Sequence, residues 1–285
     1  MPSSLKSSEE IVSIPPASCT DGAGTRAGRL IINADDWGRD LETTQRIHEC
    51  TARGSVSSVS AMVFMEDSAR AAGVAKEEGI DAGLHLNLTT PFTSANCAAG
   101  LADRQQQLVR YLKGNRFART VFNPLLRRQF DYVVAAQIDE YSKLYGAKPD
   151  RIDGHHHMHL CANVLFGELL PSGTVVRRNF SFEPGEKSLV NRLYRRFVDG
   201  LLTRRHRLTD YFFSLSPLEP SARLEKIFSL AHRFVVEVET HPVSSEEYSF
   251  LVGEELLRWT ANTRIAPRFA IPVEGCGRRI DARRS

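Results

Sequence analysis

The sequence predicts an α/β protein, an irregular (β/α)8-type barrel. Apolar strand-like runs alternate with helix-like stretches over almost the whole chain. The runs are continuous and rich in β-branched residues, as expected for a parallel sheet buried on both faces. About eight strand–helix units in roughly 250 residues match the size of such a barrel. A doubly wound open sheet is the alternative that the same pattern allows.

Eight apolar segments predict the strands, and turn-forming or polar residues bound most of them. In chain order they are residues 29–34, 57–64, 81–88, 150–154, 174–178, 210–215, 234–240 and 268–273.

Helical periodicity fills the stretches between these segments, and Gly54 and Gly146 stand where helices are expected to stop. Residues 89–107 instead predict a long loop or an insertion over one face. The helices are predicted at 41–53, 68–78, 103–113, 124–145, 164–170, 188–203, 222–231 and 254–263.

Composition bounds the class of protein. The 285 residues are 42% hydrophobic and 25% charged, which is ordinary for a soluble globular enzyme. A balance of 37 Lys and Arg against 34 Asp and Glu gives no indication of a nucleic-acid partner. No apolar run approaches the roughly 18 residues that a membrane-spanning helix needs.

The chain ends predict the domain organisation. Residues 1–28 are rich in Ser, Pro, Gly and Ala and lack the basic and apolar regions of a signal peptide, so we expect a disordered leader. Residues 29–280 are expected to form a single barrel domain. The five cysteines are scattered, with no CxxC pair, which favours a reducing compartment and a cytoplasmic location.

Histidines are concentrated in one short stretch. Four of the nine in the chain are His155, His156, His157 and His159, directly after a predicted strand. Histidine is the commonest metal ligand. A solvated histidine tract is the alternative, but the internal position of this stretch favours a metal site.

Three further polar clusters fall at predicted strand ends. Asp35 and Asp36 close the first strand, His85 and Asn87 share one face of the third, and His241 closes the seventh before a proline. Taken singly, these could be a helix cap, a core histidine and a turn. In a barrel, however, the carboxyl ends of the strands build one common site.

A carboxylate with two imidazoles is a ligand set suited to a divalent cation with open coordination positions. Such a cation lowers the pKa of bound water and polarises a carbonyl. A second carboxylate beside it would serve as general base and a further histidine as general acid. The parts predict metal-assisted hydrolysis of an amide or ester.

At these residues the chain resembles the YdjC-like carbohydrate deacetylases, which include chitooligosaccharide deacetylases and the hopanoid-biosynthesis-associated HpnK group. The resemblance spans about residues 29–271. Its motifs are NADDWG at 33–38, GLHLNL at 83–88, DGHHHMH at 153–159 and THP at 240–242.

The resemblance implies a deacetylase on an irregular (β/α) barrel that removes acetyl from an N-acetylated sugar with Mg²⁺ or Zn²⁺. Asp36, His85 and His155 correspond to the metal ligands. Asp35 corresponds to the general base, and His241 to the general acid or a group that stabilises the transition state. His157 and His159 would support a ligand or face the substrate. The resemblance leaves a homodimer open.

Two other functions stay open at this point. A metal-dependent phosphoesterase would bind two or three metal ions and use His157 and His159 as further ligands. A non-catalytic protein that binds metal or glycan is the third hypothesis, although such a protein has no use for an unligated Asp35 beside Asp36.

The segment 174–209 is unusually basic and matches no motif of the family. One interpretation is a solvated helix face. The other is a patch for an acidic or phosphate-bearing glycan, such as a lipid-linked intermediate, which would involve peripheral contact with a membrane. Its arginines include Arg177, Arg178, Arg192, Arg195, Arg196, Arg204, Arg205 and Arg207.

Overall fold

The computed structural model describes residues 28–182, 186–260 and 263–271. The predicted leader therefore lies, except for Gly28, outside the described residues, as does the end of the predicted domain after residue 271.

The core of the described residues is one parallel sheet of seven strands in the order β5-β4-β3-β2-β1-β7-β6. The strands are β1 Arg29–Trp37, β2 Ser58–Ala61, β3 Ala82–Leu86, β4 Arg151–Gly154, β5 Val175–Val176, β6 Tyr211–Ser214 and β7 Val235–Thr240.

This order is cyclic, because each strand lies beside its neighbours in sequence and β7 returns to β1, whereas β5 and β6 share no ladder. A few backbone contacts still join the chain around these edges. Val175 forms an isolated bridge with Arg207, and the Ser181 N–H donates to the Phe212 carbonyl at 2.8 Å. The predicted α/β class is confirmed, and the sheet of the described residues is a curled half-barrel of seven strands, in place of the eight strands predicted for an irregular (β/α)8-type barrel.

The eighth predicted strand, 268–273, is not a strand over its described residues 268–271. The segment instead runs beside the amino-terminal end of the sheet, where Ala266 N–H donates to the Leu30 carbonyl at 2.7 Å and Phe269 N–H donates to Asp81 at 2.7 Å. The apolar residues that suggested a strand pack in a small cluster with Ile31.

Helices cover one face of the sheet, its outer face, and the opposite face is called the inner face below. Leu30 and Ile32 of β1 belong to the same apolar core as buried residues from most of the helices. None of the described helices has the length and apolarity needed to cross a bilayer. The helices are α1 Leu41–Ala52, α2 Ser68–Glu78, α3 Ala99–Gly114, α4 Arg127–Tyr145, α5 Ala162–Phe166, α6 Leu189–Leu202, α7 Ser221–Leu230, α8 Ser245–Val252 and α9 Glu254–Trp259.

Two helices differ most from the sequence prediction. α3 begins at Ala99, so the predicted loop 89–107 is irregular only in its first half. α8, Ser245–Val252, was not predicted at all.

Candidate active site

The site begins at the carboxyl end of β1, where two adjacent aspartates face one imidazole. Neighbouring strand residues ordinarily point to opposite faces. Here the register with β2 shifts between Ala34 and Trp37, and Asp36 has a φ of 72°, a left-handed conformation that Asp tolerates better than most residues. As a result, His85 Nε2 lies 4.0 Å from Asp35 Oδ2 and 3.4 Å from Asp36 Oδ1.

Asp36, His85 and His155 form the group best suited to hold a metal ion. Asp36 Oδ1 is 3.0 Å from His155 Nδ1 and 3.4 Å from His85 Nε2, and the three ligand atoms lie within 4.8 Å of one another. Ligands of a tetrahedral ion with bonds of about 2.0–2.1 Å are roughly 3.3 Å apart. The spacing therefore fits a divalent cation.

The second atoms of these groups are already engaged. Arg39 donates to Asp36 Oδ2 at 2.7 Å, and His85 Nδ1 pairs with Asp153 Oδ1 at 2.8 Å. Asp36 Oδ1 and His85 Nε2, by contrast, are buried and have no hydrogen-bond partner among the described residues. A carboxylate that orients a histidine in this way is the usual support of a metal-binding imidazole.

The pKa of His85 also reflects this environment. Burial by itself would lower it, but the neighbouring carboxylates of Asp35 and Asp153 outweigh burial and raise the pKa to about 10. The electrostatics of the pocket therefore favour a positive charge at the imidazole. A cation bound at Nε2 would supply that charge in place of a proton.

The histidine-rich stretch forms an irregular turn after β4, within which His156 and His157 have φ values of 54° and 57°. Only His155 of the four joins the group around Asp36. His156 Nδ1 bonds Thr89 Oγ1 at 2.9 Å. The stretch thus contributes one candidate ligand and builds one wall of the site.

His157 and His159 take different places from each other. His157 packs against the rings of Phe180 and Phe212 and lines a cavity beside the site. His159 is fully buried, and its Nε2 bonds the Arg177 carbonyl at 2.9 Å. It therefore holds the end of β5 in place. Its contacts among the described residues do not include a candidate ligand, so its predicted role beside a ligand or the substrate has no support from them.

Arg177 is a buried cation at the centre of the inner face. It makes a two-pronged pair with Asp35, at 2.6 and 2.8 Å, and a further pair with Asp153 at 2.8 Å. Its other contacts are Glu237 at 2.7 Å and Glu239 at 3.3 Å. The interpretation of this arginine as part of a solvated helix face is wrong, since it lies at the end of β5 and touches four carboxyl groups.

The charge balance around Arg177 sets the ionisation of these carboxyl groups. Burial would raise the pKa of Asp35, but Arg177 outweighs it and the pKa is lowered. The pKa of Asp153 is lowered by Arg177 and His85 in the same way. Glu239 has a raised pKa because of burial and the nearby charge of Asp35. The ionised form is therefore favoured at Asp35, whereas the protonated form is favoured at Glu239.

A second group, Asp35 with His85 and Asp153, also meets the distance criterion for a metal. Both of its carboxylates already neutralise Arg177, and Ser60 donates to Asp153 at 2.6 Å. This engagement leaves the group around Asp36 as the stronger candidate.

His241 follows β7 at the mouth of the site, with about a third of its side chain exposed. Its Nε2 lies 4.0 Å from Asp35 Oδ2. Glu247 of α8 fixes this loop, because its carboxylate accepts from the His241 N–H at 2.7 Å and from the Thr240 and Ser216 hydroxyls at 2.6 Å.

Sequence reasoning missed Asp153, Arg177 and Glu247 as parts of the site. Asp153 had a signal, since it begins the histidine-rich motif and pairs in register with His85. Arg177 and Glu247 had none, because one stands in a basic segment and the other among ordinary surface acids.

The fold is a parallel half-barrel, and one carboxylate and two imidazoles meet at the carboxyl ends of its strands. The protein is therefore an α/β protein with a candidate metal site. A model of the YdjC-like protein family matches residues 29–262 of this chain, which is most of its length. The chain therefore belongs to the YdjC-like family, and the resemblance stated from the motifs is confirmed.

Curated relatives are between 25% and 33% identical to this chain over the aligned residues. The carbohydrate deacetylase of Clostridium beijerinckii is 25% identical over 80% of this chain and 89% of that protein. The carbohydrate deacetylase of Danio rerio is 26% identical over 55% and 51%, and the chitooligosaccharide deacetylase of Proteus mirabilis is 33% identical over 48% and 52%. Apart from the Clostridium protein, these matches span about half the length of the relative.

A crystal structure of an Enterococcus faecalis V583 protein has the same fold. Its TM-score is 0.60 at 19% identity, and the match covers 84% of this chain and 96% of that one.

Proposed function

We propose that this protein is a metal-dependent hydrolase that removes the acetyl group from an N-acetylated sugar or oligosaccharide. The convergence of Asp36, His85 and His155 beside an ionised Asp35 carries the proposal. Membership of the YdjC-like family and the names of the curated relatives support it.

Asp36, His85 and His155 would hold the divalent cation, Mg²⁺ or Zn²⁺. When bound there, such an ion supplies an activated water and polarises the acetyl carbonyl. The buried atoms Asp36 Oδ1 and His85 Nε2, which lack other partners among the described residues, support this assignment. Asp153 holds His85 in the tautomer that presents Nε2 to the ion.

Asp35 would act as the general base. Its carboxylate is buried and ionised, and Arg177 and Asn33 fix its orientation, the latter at 2.9 Å. Oδ1 already accepts two hydrogen bonds, one from Asn33 and one from Arg177, whereas Oδ2 accepts one from Arg177 and retains a lone pair for a further proton.

His241 would donate a proton to the leaving amine or stabilise the transition state. Its partial exposure suits a group that meets the substrate, and its Nε2 is 4.0 Å from the proposed base. The hydrogen bond from its backbone to Glu247 keeps the ring at the mouth of the site.

Acetate release from N-acetylglucosamine oligomers tests the proposal directly. We expect turnover that disappears after treatment with a chelator and returns when a divalent metal is added. If the protein binds metal but releases acetate from no acetylated glycan, the proposed function is wrong.

Two substitutions separate the proposed roles. Asp35→Asn should abolish turnover and leave metal affinity nearly unchanged, whereas His155→Ala should weaken metal binding measured by calorimetry. His48→Ala, which changes an exposed histidine paired with Glu78, is the matched control and should alter neither quantity. Full activity in Asp35→Asn would contradict its role as the base.

The phosphoesterase hypothesis predicts more than one metal per chain, with His157 and His159 as ligands. Among the described residues, neither belongs to a group that could hold a metal. A stoichiometry of one ion per chain would therefore favour the deacetylase.

We also propose a cytoplasmic location. The described cysteines Cys50, Cys97 and Cys161 are free thiols, which supports a reducing compartment.

A further inference from the structure

Helix α6 exposes a continuous apolar face. Four of its large apolar residues have more than half of their side chain accessible, while only two of its residues are buried against the body of the protein. The exposed residues are Leu189, Val190, Leu193 and Phe197, and the buried ones are Val198 and Leu202.

The helical spacing places these two sets on different sides. At about 100° per residue, the four exposed apolar residues fall within an arc of roughly 100°. Val198 and Leu202 fall within a separate arc on the far side. The exposed face therefore points away from the core, and the packing of α6 against the body does not use it.

The charge around this face is strongly positive. Residues 187–205 contain six Lys and Arg against a single acid, Asp199. Asp199 is already engaged by Arg178 at 2.8 Å and by Asn179 at 2.9 Å. By helical spacing, Arg192 and Arg196 adjoin one edge of the apolar arc.

A second segment of the same character borders the same cavity. Residues 113–128 contain five Lys and Arg and no acid, and they expose Phe117, Val121 and Leu125. Arg119 of this segment and Tyr194 of α6 line one cavity of about 290 Å³. The cavity extends to His157, two residues beyond the candidate ligand His155, so both segments border a cavity close to the site.

Isolated apolar residues are ordinary on a protein surface, but a contiguous apolar face with arginines along one edge marks a binding surface. A second copy of this helix is a poor partner, because a two-fold contact would bring like-charged arginines together without a free acid on α6 to pair with them. An anionic bilayer supplies both an apolar interior and negative headgroups.

We propose that α6 is an interfacial helix that docks this protein on the surface of an anionic membrane. Leu189, Val190, Leu193 and Phe197 enter the boundary between headgroups and acyl chains, and Arg192 and Arg196 pair with headgroup phosphates. The segment 113–128 extends the contact across the cavity. The proposal concerns binding alone and does not depend on the reaction that the site carries out.

Co-flotation with vesicles tests this proposal. We expect the protein to bind vesicles of phosphatidylcholine with phosphatidylglycerol at least about tenfold better than vesicles of phosphatidylcholine alone, and we expect salt to weaken binding. Absence of binding to the anionic vesicles would overturn the proposal.

Paired substitutions test whether α6 is the surface that binds the vesicles. Leu193→Ser with Phe197→Ser should reduce binding by about tenfold or more, and Arg192→Gln with Arg196→Gln should do the same. Leu257→Ser and Arg258→Gln on α9 are matched controls, since both side chains are exposed elsewhere, and they should bind as wild type does. Undiminished binding in both α6 variants would overturn the assignment.

Light scattering after size exclusion tests whether a second copy of the protein, and not a membrane, covers this face of α6. The mass of the protein should be the same in wild type and in the Leu193→Ser/Phe197→Ser variant. A dimer that this variant dissociates would mean that a second copy covers the face, and the membrane proposal would then be wrong. Because the substituted side chains are exposed, thermal unfolding should be unchanged, which separates loss of binding from loss of fold.

Discussion

Arg177 illustrates how a single residue can organise a site without joining the proposed chemistry. One guanidinium favours the ionised forms of Asp35 and Asp153, while burial and the neighbouring carboxylates raise the pKa values of Glu237 and Glu239. The two-pronged geometry suits arginine and not lysine. Arg177 therefore fixes both the charge and the orientation of Asp35.

Arg177→Met should lower the free energy of unfolding by about 3–5 kcal/mol, because it leaves buried carboxylates without a counter-charge. Urea denaturation measures this change. Arg196→Gln, which alters an exposed arginine, is the control and should shift stability by less than about 0.5 kcal/mol. An equally small effect of Arg177→Met would contradict the assigned role.

Asp153 acts on the proposed metal through His85. We expect Asp153→Asn to weaken metal affinity by about 10–100-fold, since an amide holds the imidazole less well and lowers its basicity. Isothermal titration with Zn²⁺ measures the affinity. Ser60→Ala removes one hydrogen bond to Asp153 and one from Asn33 but leaves the pairing of Asp153 with His85 in place, so its metal affinity should stay close to wild type. Equal affinities in wild type and Asp153→Asn would count against His85 as a ligand.

At the scale of elements, strand ends and one short helix position the site. The shifted register at the end of β1 turns Asp36 toward the two imidazoles. α8 follows β7 and supplies Glu247, whose three hydrogen bonds join the loop of His241 to Ser216. The hydrogen bonds from α8 therefore hold the loop after β7 in place.

Glu247→Ala should lower the free energy of unfolding by about 2–3 kcal/mol, because buried donors lose a charged acceptor. Hydrogen exchange should also speed up at residues 240–244, where the His241 N–H loses its partner. Glu246→Ala, at the exposed neighbouring position, is the control and should change neither quantity. Unchanged exchange at these residues would contradict the positioning role of Glu247.

Most elements were predictable because they depend on local pattern. The seven strands coincide with predicted apolar runs, and α2 was predicted with its observed bounds, Ser68–Glu78. The failures were of two kinds. α8 was not predicted, and the apolar residues of 268–271 pack as a small cluster although their composition resembles that of a strand.

The whole molecule has a layered inner face. An apolar cluster with Ile31 and Val235 lies toward the amino-terminal ends of the strands. The charges around Arg177 come next, and the group around Asp36 lies at the carboxyl ends. The strands follow the order of a barrel, but no ladder joins β5 to β6. The alternation of strands and helices is visible in the sequence, whereas the gap between β5 and β6 is not.

Thiol labelling reports on this packed core. Burial raises the pKa of Cys50 to about 12 and that of Cys161 to about 11, so neither should react in the folded protein at pH 8. Cys97 is only partly buried and should be labelled first among the described cysteines. Mass spectrometry of a Cys19→Ser/Cys276→Ser background measures the order. Rapid labelling of Cys50 would indicate that the core opens more readily than its burial implies.

The sequence by itself determined the parallel α/β class, the family and the residues that meet at the candidate metal site, because strand alternation and strand-end motifs are local properties of the chain. Only the tertiary structure decided that the sheet is a half-barrel and that Arg177, Asp153 and Glu247 support the site. The first outcome depends on which strands pair across the sheet, and the second on which charged side chains are buried together from distant strands. The spacing of residues along the chain does not encode such pairings directly.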